Sequence, residues 1–355
     1  MSSRQQVYAD VSAIGIDIGK NTFHLIGQDR RGKIVMRARV SRSQLMERLV
    51  NVPRCLIGME AGAGAHHIAR RLIELGHDVR LIPAQYVKPF LKGHKNDYRD
   101  AEAIIEAVQR PTMSFVAVKT AEQCDLQALH RVRSRLVRLR TGVINQIRGL
   151  LLERGVVMAQ RTAPLRKALA VILADPPAHV SPRIMRLIGS LIEELNKLEE
   201  RIEALTQEIQ ALAVEDEACQ RLMTVPGIGI IISSAVVSAI GTGGTFKQGR
   251  DFAAWLGLVP RQVSTGGRTK LAGLSKRGNC YLRTLFVQAA HVILIKKPAA
   301  AQAAIWPWVE RAAKRMAHRN LLATALANKL ARIAWAVLAR GQAYRPIANT
   351  EHACQ

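Results

Sequence analysis

Residues 13–110 alternate between short apolar runs and amphipathic stretches. Ile14-Gly15-Ile16-Asp17-Ile18 is apolar and rich in β-branched residues, so it predicts a buried strand that carries one acid. Thr22–Ile26 follows after the short turn Gly19-Lys20-Asn21, predicting a hairpin. Asp29–Gly32 forms a second turn, and Lys33–Val40 predicts a third strand. Ser43 is placed to cap a short helix with Leu45, Met46 and Leu49 facing inward. Cys55–Glu60 predicts a fourth strand, His66–Leu75 a helix stopped by Gly76, Val79–Ile82 a fifth strand ended by Pro83, and Asp97–Gln109 a further helix. Three meandering strands followed by helix, strand, helix, strand and helix give the element order of an α/β ribonuclease-H-like domain, assigned to residues 1–115.

Downstream the period lengthens. Residues 121–154 predict a long basic helix with an apolar seam of Leu129, Val132, Leu136, Leu139 and Val143, within a basic helical extension over 116–180. From Ile184 to Leu212 the apolar positions (Ile184, Ile188, Leu191, Leu195, Leu198, Ile202, Leu205, Ile209, Leu212) step by four and three without a miss. That is a heptad seam and predicts a helical coiled-coil spacer over 181–215, closed within the chain or between protomers. Its outer positions are rich in glutamate, so it serves as a spacer or dimerisation arm and does not lie along DNA. Residues 216–345 predict a mainly α domain, and 346–355 a tail. Leu222–Phe246 is uncharged and long enough to span a membrane, but Pro226 and its glycines make it a soluble hairpin, so no membrane partner is expected.

Charge narrows the function. The net charge is +25, and from Arg110 to Lys167 cations outnumber acids twelve to three. Clustered positive charge of this size implies a polyanionic partner, DNA or RNA. The exposed candidates on the basic helix are Arg131, Arg135 and Arg138. The five cysteines (Cys55, Cys124, Cys219, Cys280, Cys354) are scattered and form no Cys-x-x-Cys pair, which argues against a disulfide framework or zinc site and for a reducing cytoplasm. Met1–Val11 lacks the apolar core of a secretory signal.

Four acids then draw attention. Asp17 lies inside an apolar strand, Glu60 ends the fourth strand, and Asp97 and Asp100 share one helix face. In the expected fold all four converge. Crowded carboxylates repel unless cations sit between them, and their oxygens are suited to Mg²⁺ or Mn²⁺. The run Gly15–Lys20 also matches the first phosphate loop of the actin-like and sugar-kinase fold. No second phosphate loop or adenosine-binding glycine pair is evident, and the charge fits that fold badly.

Val225-Pro226-Gly227-Ile228-Gly229 predicts a helix-hairpin-helix-like element, in which Gly227 and Gly229 let backbone N–H groups approach a phosphate. Arg261–Gly278 predicts a Gly-rich basic loop that holds Ser264 beside glycines, with Arg268, Lys270, Lys276, Arg277 and, further on, Arg283 as candidate contacts to the DNA backbone. A serine so placed can attack a phosphate, although no histidine near it in sequence would serve as its base.

These motifs together resemble the DEDD insertion-sequence transposases, also described as bridge-RNA-guided serine recombinases. The resemblance covers nearly the whole chain. It rests on Gly15–Lys20, Met59-Glu60-Ala61, Asn96-Asp97-x-x-Asp100-Ala101, Pro226–Gly229, Leu256–Arg261, Ser264-Thr265-Gly266, Ser275–Asn279 and Leu282-Arg283. It implies a RuvC-like domain whose acids, matching Asp17, Glu60, Asp97 and Asp100, bind Mg²⁺. It also implies a transposase domain whose serine, matching Ser264, links covalently to DNA. The family often has Ser directly followed by Gly; here Thr265 intervenes, leaving Thr265 and Ser275 as lesser candidates. Further implied are double-stranded donor and target DNA, a structured guide RNA, and homodimers assembling to a tetramer, in the cytoplasm with the nucleoid.

Overall fold

The computed structural model of the chain describes residues 10–93, 96–316 and 318–346. Met1–Ala9, Cys354 and the tail expected after Pro346 lie outside these residues. The chain divides into two compact units, residues 1–124 with 243–247, and residues 125–242 with 248–355.

Unit 1 is built on five strands: β1 (Ala13–Ile18), β2 (Thr22–Gln28), β3 (Ile34–Ser41), β4 (Leu56–Glu60) and β5 (Asp78–Ile82). Their order in the sheet is β3-β2-β1-β4-β5. The β1–β2 and β2–β3 pairs are antiparallel, while β1–β4 and β4–β5 are parallel. Because successive strand residues point to opposite faces, β1 divides its side chains between two layers. Ile14 and Ile16 enter a core with Leu45 and Leu49 of α1 (Gln44–Leu49) and with Ile68 and Leu72 of α2 (Ala65–Glu74). Ala13 enters a second core on the other face, with Ala101 and Ile105 of α4 (Asp97–Val108). A one-turn α3 (Ala84–Val87) leads toward α4.

The expected elements of this unit are present, with one difference in capping. Ser43 adopts a helical conformation and makes no side-chain cap bond; the Gln44 N–H donates to Ser41 Oγ instead, at 3.4 Å. Asn96 caps α4, its side chain accepting from the Tyr98 N–H at 3.0 Å. That leaves Asp97 free of the capping role an acid at a helix start often takes.

Unit 2 opens with three helices that share one core: α5 (Ala121–Leu152, in this unit from Asp125), α6 (Thr162–Ala174) and α7 (Pro182–Glu215). Of the α7 seam, Ile184, Ile188, Leu195, Leu198 and Ile202 are buried within the chain, packed with Leu136, Val143 and Ile147 of α5 and Leu165 and Leu169 of α6, while Leu212 is exposed. The basic helix keeps part of its expected seam, with Leu136 and Val143 buried and Leu129 partly buried, and departs from it elsewhere. Val132 and Leu139 are exposed, and His130, Leu136, Val143, Ile144, Ile147 and Leu151 turn inward. A polar residue with partners has taken a core position that a reading of apolar residues alone assigns elsewhere.

The rest of the unit comprises α8 (Glu217–Met223), α9 (Ile230–Ile240), α10 (Gly249–Trp255), a hairpin of β6 (Pro260–Thr265) and β7 (Arg268–Leu274), then α11 (Cys280–Lys296), α12 (Ala299–Ala304), α13 (Trp306–Ala313) and α14 (Arg319–Arg340). The segment expected as a basic loop is therefore an antiparallel hairpin. Among the described residues, α14 is the one helix long and apolar enough to cross a membrane, and half of that window is buried within the protein. Its buried face, which includes Leu322, Leu326, Leu330, Ala334 and Leu338, packs against α8, α10 and α11.

Candidate metal centre and hydroxyl hairpin

The acid centre follows from strand alternation. The β1 residues that face α4 are Ala13, Gly15 and Asp17; the register pairs Ile16 with Met59, so Glu60 is the next neighbour of Asp17 along β4. On β2, the antiparallel register sets His24 opposite Asp17. Helix α4 crosses this face with Asp97 and Asp100 in its first turn.

How closely it crosses is set by two glycines that are register partners, Gly15 and Gly58. A Cβ on Gly15 would lie 2.2 Å from the Ala101 carbonyl oxygen, and one on Gly58 would lie 2.8 Å from Val108 Cβ. Any side chain there forces the helix outward. The start of α4 is held further by Arg37 of β3, which donates to Glu102 at 2.8 Å and stacks over the Tyr98 ring at 4.9 Å.

The result is a trio. Carboxylate oxygens of Asp17, Asp97 and Asp100 all lie within 4.8 Å of one another, the one grouping among the described residues able to hold a metal ion. Glu60 stands outside that trio, though near enough to act electrostatically on Asp17. Asp17 holds its proton more tightly than an ordinary carboxylic acid. Partial burial is the main cause, followed by the negative charges of Asp100 and Asp97, with Glu60 adding to them and His24 opposing. The half-buried His24, which sequence reasoning overlooked, brings Nδ1 to 3.6 Å from Asp97 and meets Tyr98 edge to face. Three converging carboxylates and one imidazole leave the centre rich in negative charge, and its donors are hard oxygens. This donor set fits a divalent cation such as those that bind carboxylates in nucleases.

The hydroxyl candidate belongs to unit 2. Every residue of β6 is exposed, and all but the last of β7. Ser264 pairs with Thr269 across the hairpin, and Gln262 pairs with Leu271. The Gln262 side-chain amide donates to Ser264 Oγ at 2.9 Å, and Ser264 Oγ lies 3.3 Å from Thr269 Oγ1. Thr265 pairs with Arg268 beside the Gly266-Gly267 turn. Ser275 turns its Oγ inward without a hydrogen-bond partner.

The remaining candidates fall into two groups. Arg131, Arg135 and Arg138 share an exposed face of α5, and Arg268, Lys270, Lys276 and Arg277 are exposed around the hairpin. Lys276 adopts a left-handed φ of 52°, unusual for a residue with a side chain. Arg283 is spent internally: its Nη1 donates to the carbonyls of Leu256 and Arg277 at 2.9 and 3.0 Å. Gly229 sits open at the start of α9, whereas Gly227 backs onto Ile293 of α11.

One polar cluster in unit 2 was not foreseen. His130 is almost fully buried, with Nε2 3.0 Å from Ser234 Oγ and Nδ1 3.1 Å from the Tyr281 hydroxyl. Ser234 gives its own proton to the Ile230 carbonyl. The Nε2–H therefore donates to Ser234, and Nδ1 accepts from Tyr281. Burial pushes the imidazole down to about 4, with Arg133 adding to the effect, so the ring is neutral and ties α5, α9 and α11 together.

The comparisons with known proteins agree with one another. A family described as "Transposase IS116/IS110/IS902 family" matches residues 219–305, and a transposase family of the DEDD type associated with IS110 matches residues 14–154. The first span contains the hydroxyl hairpin and the second all four acids. The chain is 46% identical to a "Probable family 20 transposase" of Pseudomonas aeruginosa, over 95% of this chain and 99% of that protein. It is 44% identical to the transposase for insertion sequence element IS1328 of Yersinia enterocolitica, over 94% and 99%. It is 39% identical to the transposase for insertion sequence element IS1111A of Coxiella burnetii, over 96% and 93%. With likeness this extensive at both centres, the chain belongs to the IS116/IS110/IS902 family of insertion-sequence transposases.

Proposed function

We propose that the protein moves its insertion sequence by Mg²⁺-dependent strand cleavage and exchange, through a covalent phosphoserine link between Ser264 and DNA. The single observation that carries this reading is the Asp17–Asp97–Asp100 trio, built across a sheet and a helix by close packing. We read residues 1–115 as ribonuclease-H-like and RuvC-like, 116–180 as a basic extension, 181–215 as a coiled-coil spacer, and 216–345 as the transposase domain.

Asp17, Asp97 and Asp100, with Glu60 beside them, hold Mg²⁺ or Mn²⁺. Bound there, the ion supplies Lewis acidity toward phosphodiester oxygens. Ser264 Oγ bonds to the scissile phosphorus as the bond to one DNA oxygen breaks. The serine proton passes to solvent, and the departing oxygen takes one up. The phosphodiester is conserved in the serine link, so rejoining requires only attack by another DNA hydroxyl. The acids belong to one compact unit and the serine to the other; the reading requires that both act on one strand, from one chain or from two.

Double-stranded donor and target DNA are the substrates, gripped by the cations around the hairpin and by Gly229 at the start of α9. A structured noncoding RNA guides them, and the exposed Arg131, Arg135 and Arg138 face supports that role. The working form is a homodimer assembling to a tetramer, in the cytoplasm on the nucleoid. A second reading, an acid-only nuclease or transposase, draws support from the trio's being complete within unit 1.

The test is to incubate the wild type, Ser264→Ala and Asp17→Ala with DNA spanning the ends of the element and look for protein covalently attached to DNA. Adduct in the wild type and in neither variant is the expected result. Cleavage that survives Ser264→Ala without adduct establishes the second reading instead.

A further inference from the structure

The hairpin sorts its chemistry by face. Directly opposed residues of an antiparallel pair share a face, and successive residues alternate. The register Gln262↔Leu271 and Ser264↔Thr269 therefore puts Gln262, Ser264 and Thr269 on one face. The pairs Val263↔Lys270 and Thr265↔Arg268 put the two cations on the other. Ser264 thus has uncharged polar neighbours on its own face, and Arg268 and Lys270 point away from it.

Those neighbours are bonded to it. The Gln262 amide is a donor toward Ser264 Oγ, which leaves the serine O–H free to point at Thr269 Oγ1. The two contacts hold Oγ in place and restrain the hydroxyl rotor, and so orient its proton and remaining lone pair. A donor on Oγ also stabilises the negative charge that gathers there as the proton leaves.

We propose that Gln262 and Thr269 are positioning residues for the Ser264 hydroxyl, and that Arg268 and Lys270, on the opposite face, grip the DNA backbone without attending the reacting phosphate. The proposal rests on the reading of Ser264 as nucleophile. Gln262 and Thr269 therefore govern the rate of attack on bound DNA, while Arg268 governs how much DNA is bound.

The experiment uses the full chain produced with the transcript of its own element, and follows adduct formation against the concentration of DNA spanning the element's ends. Gln262→Met keeps length and removes the donor; Thr269→Val removes a hydroxyl and Thr269→Ser restores it. Both removals are expected to lower the maximal rate by roughly ten- to hundredfold, the scale of one hydrogen bond to a charged group, with the half-saturating DNA concentration unchanged. Thr269→Ser is expected to recover most of the rate, and Arg268→Ala to raise the half-saturating concentration with the maximal rate kept. All three positions are exposed and removed from any core, so these variants fold.

Ser264→Ala separates the two layers of the argument. Adduct persisting in that variant overturns the reading of Ser264 itself. Adduct lost there but formed at the wild-type maximal rate by Gln262→Met and Thr269→Val overturns the positioning proposal alone. So does a loss in those variants that appears wholly in the half-saturating concentration.

Discussion

The acid trio and the hydroxyl hairpin are built in opposite ways. The trio is a product of tertiary packing. Asp17 is partly buried in a sheet, Asp97 and Asp100 arrive on a helix from the far end of the unit, and the fit depends on two missing side chains. The hairpin is local. Its strands are joined by two glycines, its side chains are exposed, and its hydroxyl is held by residues two and five positions away. A centre that must confine like charges needs a rigid frame to oppose their repulsion. The nucleophile role proposed for its hydroxyl requires exposure, and the stability of its unit has to reside elsewhere.

That last point gives the largest expected effect. In unit 2 the His130 network joins three helices, and its neutral imidazole is lost on acidification. The folded pKa of about 4 lies below the ordinary 6.5, so the contribution to stability is whole above pH 6.5 and falls as pH drops toward 4. The loss approaches ~3 kcal/mol over that window. Denaturant titrations of the wild type from pH 7 to 4 are expected to show this limb, and His130→Gln to flatten it. A flat wild-type profile would remove the network from the account of unit 2.

Next is the frame of the trio. Gly15→Ala forces α4 from β1 and is expected to cost about 1–3 kcal/mol. Because the displaced helix carries Asp97 and Asp100, the same change is expected to abolish the rise in melting temperature on adding Mn²⁺. A destabilised protein that keeps its full response to Mn²⁺ would show that the spacing of α4 does not set the trio.

The smallest effect sharpens the contrast. Asp17 has its folded pKa raised above 3.8. Its favourable contribution is therefore present below that value and lost as pH rises through the raised folded pKa, so at neutral pH the ionised group opposes folding. Asp17→Asn is expected to raise the metal-free melting temperature at pH 7 by a few degrees, with the gain vanishing below about pH 3.8. A fall in melting temperature at pH 7 would mean the cluster is not under repulsive strain.

Much of unit 1 was legible because its strands obey a two-residue alternation and its helices have clear stops. An acid between Ile16 and Ile18 signalled a site before any contact was known. What that reading could not supply was the reason Gly15 and Gly58 are glycines, since a missing side chain has meaning only once its neighbour is known. His24 was passed over because an alternating strand hides which polar residue faces a partner. Unit 2 was harder for two physical reasons. The hairpin has no buried face, so it shows no apolar alternation, although Gly266 and Gly267, with φ of 55° and 76°, suit a two-residue hairpin turn and were a usable signal. On α5, His130 occupies a core position through its hydrogen bonds, and a count of apolar residues alone places the buried stripe on Val132 and Leu139 instead.

The order in which unit 1 gathers its acids has a consequence for synthesis. Asp17 and Glu60 come together when β4 joins β1, but Asp97 and Asp100 are delivered by the last helix of the unit to leave the ribosome. A nascent chain truncated before α4 owns all five strands of the sheet and no trio. A transposase of this build thus acquires its acidic trio only after the sheet that frames it has been made.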